Sequence, residues 1–161
     1  MTSPVNARRA TLWLLPLVFA VVAAVVGYLN HQHHEDRTRA EEANQAVTSH
    51  VAGLFTYDYK TLASDLAQDK TWLTDAFATK YAALVAKTVQ PAAATTKLST
   101  KATVVGSGVV SSSHDEAKLL MFLDVSTQST DLTQPRLTGS RMLVTAKYVD
   151  GSWLISAIDP V

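Results

Sequence analysis

The chain has 161 residues, with 14 Lys and Arg balancing 14 Asp and Glu. That is enough for one ordinary domain with something short attached and too little for two full-sized ones. A net charge of zero lacks the electrostatic footprint of a nucleic-acid binder, so no nucleic-acid partner is expected, and the absence of cysteine excludes thiol catalysis, disulfide staples and Cys-ligated metal sites.

The first element is apolar. Leu12 to Leu29 reads LWLLPLVFAVVAAVVGYL, 18 residues without a charge, just long enough at about 1.5 Å per residue to cross a hydrocarbon layer about 30 Å thick. Trp13 and Tyr28 stand near its ends, where amphipathic rings prefer the headgroup level. Arg8 and Arg9 precede the segment, whereas His31 to Asp36 follows it without a Lys or Arg, so residues 1–11 are expected in the cytoplasm and the rest outside. The competing reading is a cleaved signal peptide with Val22 and Ala24 before the cut. The run continues through Val25 and Gly27 to Leu29, beyond the usual core of about 7–15 residues, so an uncleaved anchor in the cell inner membrane fits better. Ala20, Ala23, Ala24 and Gly27 recur at three- and four-residue spacing and form a small-residue ridge on which a partner helix can pack closely.

His31, His33, His34 and Glu35 offer metal-ligand chemistry, but the spacing is poor and no second ligand cluster follows; no metal and no cofactor is expected. Residues 30–39 read as a helical juxtamembrane linker, and 40–161 as the outward domain. From Ala40, Ala43, Val47, Val51 and Leu54 recur at helical spacing, with Ala46, His50 and Phe55 widening the stripe and His50 read as a packed residue. A turn at Tyr57–Asp58–Tyr59 leads to a short helix built on Leu62, Leu66 and Leu73. A third helix, capped by Thr74, carries the stripe Phe77, Tyr81, Leu84, Val85 and Thr88, and is expected to end at Pro91, with Ala92 to Thr96 as connector.

The period then changes. Ala102 to Val110 suggests a strand bulged near Gly106 and Gly108, and Lys118 to Gln128 alternates with Leu119, Met121, Leu123 and Val125 on one face. His114 to Glu116 is a turn. Arg141 to Val149 alternates again, and Asp150–Gly151 marks a two-residue hairpin that pairs Tyr148 with Trp153, Ala146 with Ile155 and Val144 with Ala157, leaving Leu143, Leu154 and Ile158 opposite. The expected class is α+β, about three helices packed on a curved antiparallel sheet of about four strands.

The string from Leu54 through Tyr57, Asp58 and Tyr59 to Leu62, then Phe77 with Tyr81, then Asp150, Gly151 and Trp153 in the final hairpin, resembles the Mce-associated membrane proteins of mycobacteria. The resemblance implies a cystatin-like or nuclear-transport-factor-2-like (NTF2-like) extracytoplasmic domain, similar in fold to VirB8-type secretion components. It also implies a non-enzymatic accessory role beside Mce lipid importers, with the importer's permease and Mce subunits, and membrane lipid, as partners.

A pocket of that fold can hold a carboxylate base with a Tyr or His partner, so Asp58, Tyr57, Tyr59, Tyr81 and Asp124 are the candidates for chemistry. Adjacent residues 57–59 cannot all face one way, Asp58 reads as a turn or cap residue, and Ser126 and His114 lack triad-like company, so no catalytic residue is assigned. A membrane-anchored domain that binds a lipid or acts as an isomerase is the alternative, and a buried pocket with two converging titratable groups would favour it.

Overall fold

The computed structural model describes residues 38–161. The predicted tail, the span 12–29, its ridge Ala20, Ala23, Ala24 and Gly27, and the His31–His34 cluster lie outside them. Among the described residues no helix is long and apolar enough to cross a membrane. Arg39–Val161 forms one compact unit.

Helix α1 covers 38–54, and its stripe is buried as its spacing predicts, with Ala43, Val47 and Val51 fully enclosed and Leu54 nearly so. Two helices follow, α2 (Leu62–Asp69), which runs into a 3₁₀ turn at Lys70–Trp72, and α3 (Asp75–Thr96). The strands β1 (Ser99–Ser112), β2 (Glu116–Gln128), β3 (Arg136–Val149) and β4 (Ser152–Pro160) form an antiparallel meander in the order β1-β2-β3-β4. The architecture is the expected α+β one. Ala117, Leu119, Met121 and Leu123 of β2, Met142, Val144 and Ala146 of β3, and Trp153 and Ile155 of β4 put one sheet face into a single core with the α1 stripe and Leu73. Each Val or Leu so enclosed contributes about 1.5–3 kcal/mol of burial.

Several local expectations are corrected. Pro91 does not end α3, which runs five residues further to a left-handed Lys97 at φ 52°. Proline removes a single intrahelical donor, and the strong helix formers Ala92, Ala93 and Ala94 carry the helix on, with Ala93 buried. The loop after β2 then closes the end, Thr130 donating through its N–H (2.7 Å) and its hydroxyl (3.1 Å) to the Thr96 carbonyl. Leu73 is extended rather than helical and bridges Ile155 in parallel. Leu84 is 58% exposed and Thr88 is exposed, so the buried side of α3 is narrower than its periodicity suggests. Thr74 precedes α3 in extended conformation, but its side chain makes no capping bond.

The final hairpin turns at Asp150 (φ 48°) and Gly151 (φ 86°), the backbone that a type I′ turn demands. Tyr148 pairs with Trp153 and Ala146 with Ile155 as expected, but Val144 pairs with Ile158 and not Ala157. Ser156 is an extra residue opposite the Thr145/Ala146 step, its hydroxyl donating to the Thr145 carbonyl at 3.1 Å. A bulge reverses the alternation beyond it, which brings Ile158 onto the core. Register shifts leave Val105 and Val110 as bulges in β1, beside the two glycines.

Gly53 in α1 has a steric reason. A Cβ there would stand 2.2 Å from the Trp72 ring, which also stacks on His50 at 5.3 Å and 8°. In an exposed helix Gly→Ala stabilises by roughly 0.5–1 kcal/mol. Here Gly53→Ala is expected to destabilise by about 1–3 kcal/mol, read by urea denaturation, and the loss should shrink in a Trp72→Leu background.

Candidate functional site

Three helices meet at one hydroxyl. Tyr81, one helical turn after Phe77 on α3, reaches the carbonyl of Leu54, an acceptor left open at the end of α1, with Oη 2.9 Å away. The same oxygen lies 3.0 Å from Oδ2 of Asp69, the last residue of α2, which is 5% exposed. One phenol proton faces two acceptors. With a proton on Asp69, the carboxylic acid donates to Tyr81 and Tyr81 donates to Leu54, so every group is used. Burial pushes the Asp69 carboxyl above the usual range, the Tyr81 hydrogen bond opposes this and the nearby Asp65 adds to it. Burial, then the Asp69 charge, pushes the Tyr81 phenol well upward.

The Tyr57–Asp58–Tyr59 segment is a brace. Tyr57 and Thr100 exchange backbone hydrogen bonds of 3.0 and 2.8 Å, which ties the α1–α2 turn to the start of β1. The Asp58 carboxylate accepts from the Lys60 N–H at 2.8 Å and from the Ser99 hydroxyl at 3.3 Å. Asp65 accepts from the Thr61 hydroxyl at 2.9 Å and the Asp58 N–H at 3.3 Å. Burial raises the Tyr57 phenol. Tyr59 lies under the Lys60 ammonium, 5.6 Å from its ring centroid. These carboxylates are spent on the turn, consistent with Asp58 as a turn residue.

Clefts on the surface of the described residues bear on these candidates. One of about 530 Å³ is lined by Tyr57, Asp58, Ser99, Lys101, Ser126 and Gln128, and one of about 310 Å³ adjoins it through Asp58, Ser99 and Gln128. The third, about 600 Å³, lies on the sheet face away from the helices and is lined by Val105, Phe122, Asp124, Gly139, Arg141 and Val161. Neither Asp69 nor Tyr81 lines any of them. The Asp69–Tyr81 pair, a carboxylate and a tyrosine as in isomerases, therefore faces none of these clefts, with Asp69 buried and Tyr81 half-buried, while Asp58 and Asp124 lie in open clefts without a second titratable group bonded to them. His114 is an exposed turn residue. Asp150 and Gly151 form the hairpin turn, and Trp153 is buried against Tyr148 at a ring separation of 5.3 Å. Burial lowers the His50 imidazole pKa, as suits a stacked, packed ring. Among the described residues no group of three His, Asp or Glu side chains is placed to hold a metal ion.

Asp69 escapes the reading by sequence, because Gln68–Asp69–Lys70 looks like a solvated surface. The available signal is its position: a carboxylate in the last turn of a helix opposes the helix dipole.

No family model matches the chain. Uncharacterized protein Rv1362c of Mycobacterium tuberculosis is 32% identical over 162 residues, covering 95% of this chain and 74% of its own length. Outer membrane protein Rv1973 of the same organism is 30% identical over 151 residues, covering 92% of this chain and 94% of its own. The chain belongs to the family of these mycobacterial proteins. Among solved structures, the periplasmic domain of DotI superposes with a TM-score of 0.62 at 13% identity, over 73% of this chain and 91% of that one. CagV of Helicobacter pylori, described as a VirB8 homolog of a type IV secretion system, gives 0.60 at 13% identity, over 73% and 95%. The shared property is the fold, the VirB8-like and NTF2-like arrangement of helices on one face of a meander.

The Tyr81 junction is testable. Tyr81→Phe strands the buried Asp69 and the Leu54 carbonyl and should cost about 1–3 kcal/mol in chemical denaturation. A carboxyl whose folded pKa is raised contributes stability that is full below its unfolded pKa, near 3.9, and is lost as pH rises through the folded pKa. Relative to Asp69→Asn, the wild-type protein should therefore lose melting temperature from about pH 4 upward, and the variant's curve should lack that component.

Proposed function

We propose that this chain is a non-enzymatic accessory subunit or assembly factor of an Mce-type lipid importer in the mycobacterial envelope. Residues 12–29 hold it in the inner membrane with residues 40–161 outside. The observation that carries the reading is the filled inner face of the sheet. Leu119, Met121, Leu123, Val144 and Ile155 are fully enclosed under α1, so the place where related folds keep a ligand or catalytic cavity is occupied by side chains. The buried Asp69–Tyr81 pair is used on the Leu54 carbonyl and opens into none of the clefts. The VirB8-like fold, found in periplasmic parts of secretion machines, and the mycobacterial family, one member of which is named an outer membrane protein, support a scaffolding role at the envelope. The Mce partnership itself rests on the resemblance of the Tyr57–Asp58–Tyr59 segment and of the Asp150–Gly151–Trp153 hairpin.

In this reading the ridge Ala20, Ala23, Ala24 and Gly27 packs against a permease helix, where small residues allow close backbone approach. Affinity purification of the full-length tagged chain in mild detergent should enrich the importer's permease and Mce subunits. Ala23→Leu with Gly27→Leu should reduce that enrichment severalfold at equal protein abundance. Asp58→Ala and Asp124→Ala should leave lipid uptake within a fewfold of wild type. Enrichment of an unrelated complex, or loss of uptake by Asp124→Ala at unchanged abundance, overturns the reading.

A further inference from the structure

We propose that the outer face of the sheet is a self-association surface on which two copies of this chain pack back to back. This goes beyond the accessory role and does not depend on it. No described element covers that face, and it carries Phe122, 44% exposed, Leu120 and Leu143, half-buried, and the exposed bulge residue Val105. Solvated sheet faces ordinarily alternate polar residues outward, and Phe122 stands at the wall of the 600 Å³ cleft.

The partner is argued from the register of β1 on β2. Gly106 lies beside Phe122 and Gly108 beside Leu120. Neither glycine is required by backbone sign or by crowding within the domain: neither has positive φ, a Cβ at 106 would meet Phe122 at an ordinary 3.7 Å, and a Cβ at 108 would meet nothing within 4 Å. Glycine in a strand interior weakens the strand and marks a bulge or the close approach of another backbone or ligand; Gly106 adjoins the Val105 bulge, whereas Gly108 lies in a regularly paired stretch. On β2, then, there is a column of two large apolar side chains, and next to it on β1 a column of two missing ones.

That arrangement is complementary to itself. A two-fold axis between two stacked sheets, running along the strands between β1 and β2, lays Phe122 and Leu120 of each copy over Gly106 and Gly108 of the other. The flanking rows follow the same rule. Asp124 neighbours Thr103, Ser126 neighbours Lys101 and Lys118 neighbours Ser111, so each charged side chain is set over a hydroxyl of the other copy. Isologous packing of this kind closes at two copies, with sheets about 10 Å apart in the aligned class.

The mass of the full-length chain in detergent micelles, by light scattering, tests this. Wild type is expected to dimerise reversibly. Gly108→Glu, at a site with open space in the single copy, is expected to weaken the dimer by about 100-fold through a charge set against Leu120 of the other copy; Lys87→Glu on the exposed side of α3 should change nothing. Thermal melting of Gly108→Glu reports whether it folds. Because the chain has no cysteine, a second measurement is independent of that variant: facing residues of sheets about 10 Å apart lie beyond disulfide reach, so a short bismaleimide cross-linker should join mixed Gly108→Cys and Leu120→Cys chains and should not join mixed Lys87→Cys and Leu120→Cys chains. A wild-type chain that stays monomeric, a dimer that survives folded Gly108→Glu, or equal cross-linking of the two cysteine pairs overturns the proposal, whether the face is then free, covered by residues 1–37 or held by another subunit.

Discussion

One face of a four-stranded meander has to be taken out of water, and α1 is the element that does it. Ala43, Val47, Val51 and Leu54 lie along a single helical stripe and meet the inward residues of β2, β3 and β4 in one core. Three contacts fix where that helix ends. Tyr81 donates to the last carbonyl of α1, Gly53 lets Trp72 lie flat against its final turn, and the Tyr57–Thr100 pair ties the chain leaving it to the first strand. A helix that slid by a residue would lose all three contacts at once and would rotate its stripe by about 100°.

Much of this was legible beforehand. The stripe of α1, the period-2 pattern of β2 and the Asp150–Gly151 turn are local signals that agree with the tertiary fold, and each stands where it was expected. What was illegible depends on distant partners. Whether Ser156 is counted into the ladder decides which face Ile158 occupies, and nothing in Leu154–Ile155–Ser156–Ala157–Ile158 says so; the extra residue is visible only against β3. Pro91 was overruled by the alanines after it and by the Thr130 contact at the helix end, a partner 34 residues away. Leu73 carried the right periodicity for a helix but joined the edge of the sheet.

The candidate site was partly legible. Tyr81 could be picked out by its position on an apolar stripe, and Asp58 by its place in a turn, but the group that matters most to Tyr81 is Asp69, which has no local hydrophobic signature. Its burial comes from the convergence of α1, α2 and α3 on one point, a property of three elements together. A carboxyl enclosed in this way is costly when charged, and the phenol beside it turns the pair from a reactive group into a structural joint. The same two residue types in an open cavity would invite a catalytic reading, so the decisive fact is what encloses them.

The two margins of the sheet are both blunted. On β1, Tyr57 occupies the backbone groups at one end, and bulges at Val105 and Val110 interrupt the rest. On β4, Leu73 and Thr74 take the Ile155 position, Ser156 breaks the ladder and Pro160 supplies no donor at the end. Under the proposed membrane anchorage the chain meets its own kind at high local density, where any free strand edge is an invitation to open-ended growth. With both margins blunted, crowding of this fold is not channelled into edge-to-edge strand pairing, and high local concentration is compatible with solubility of the domain.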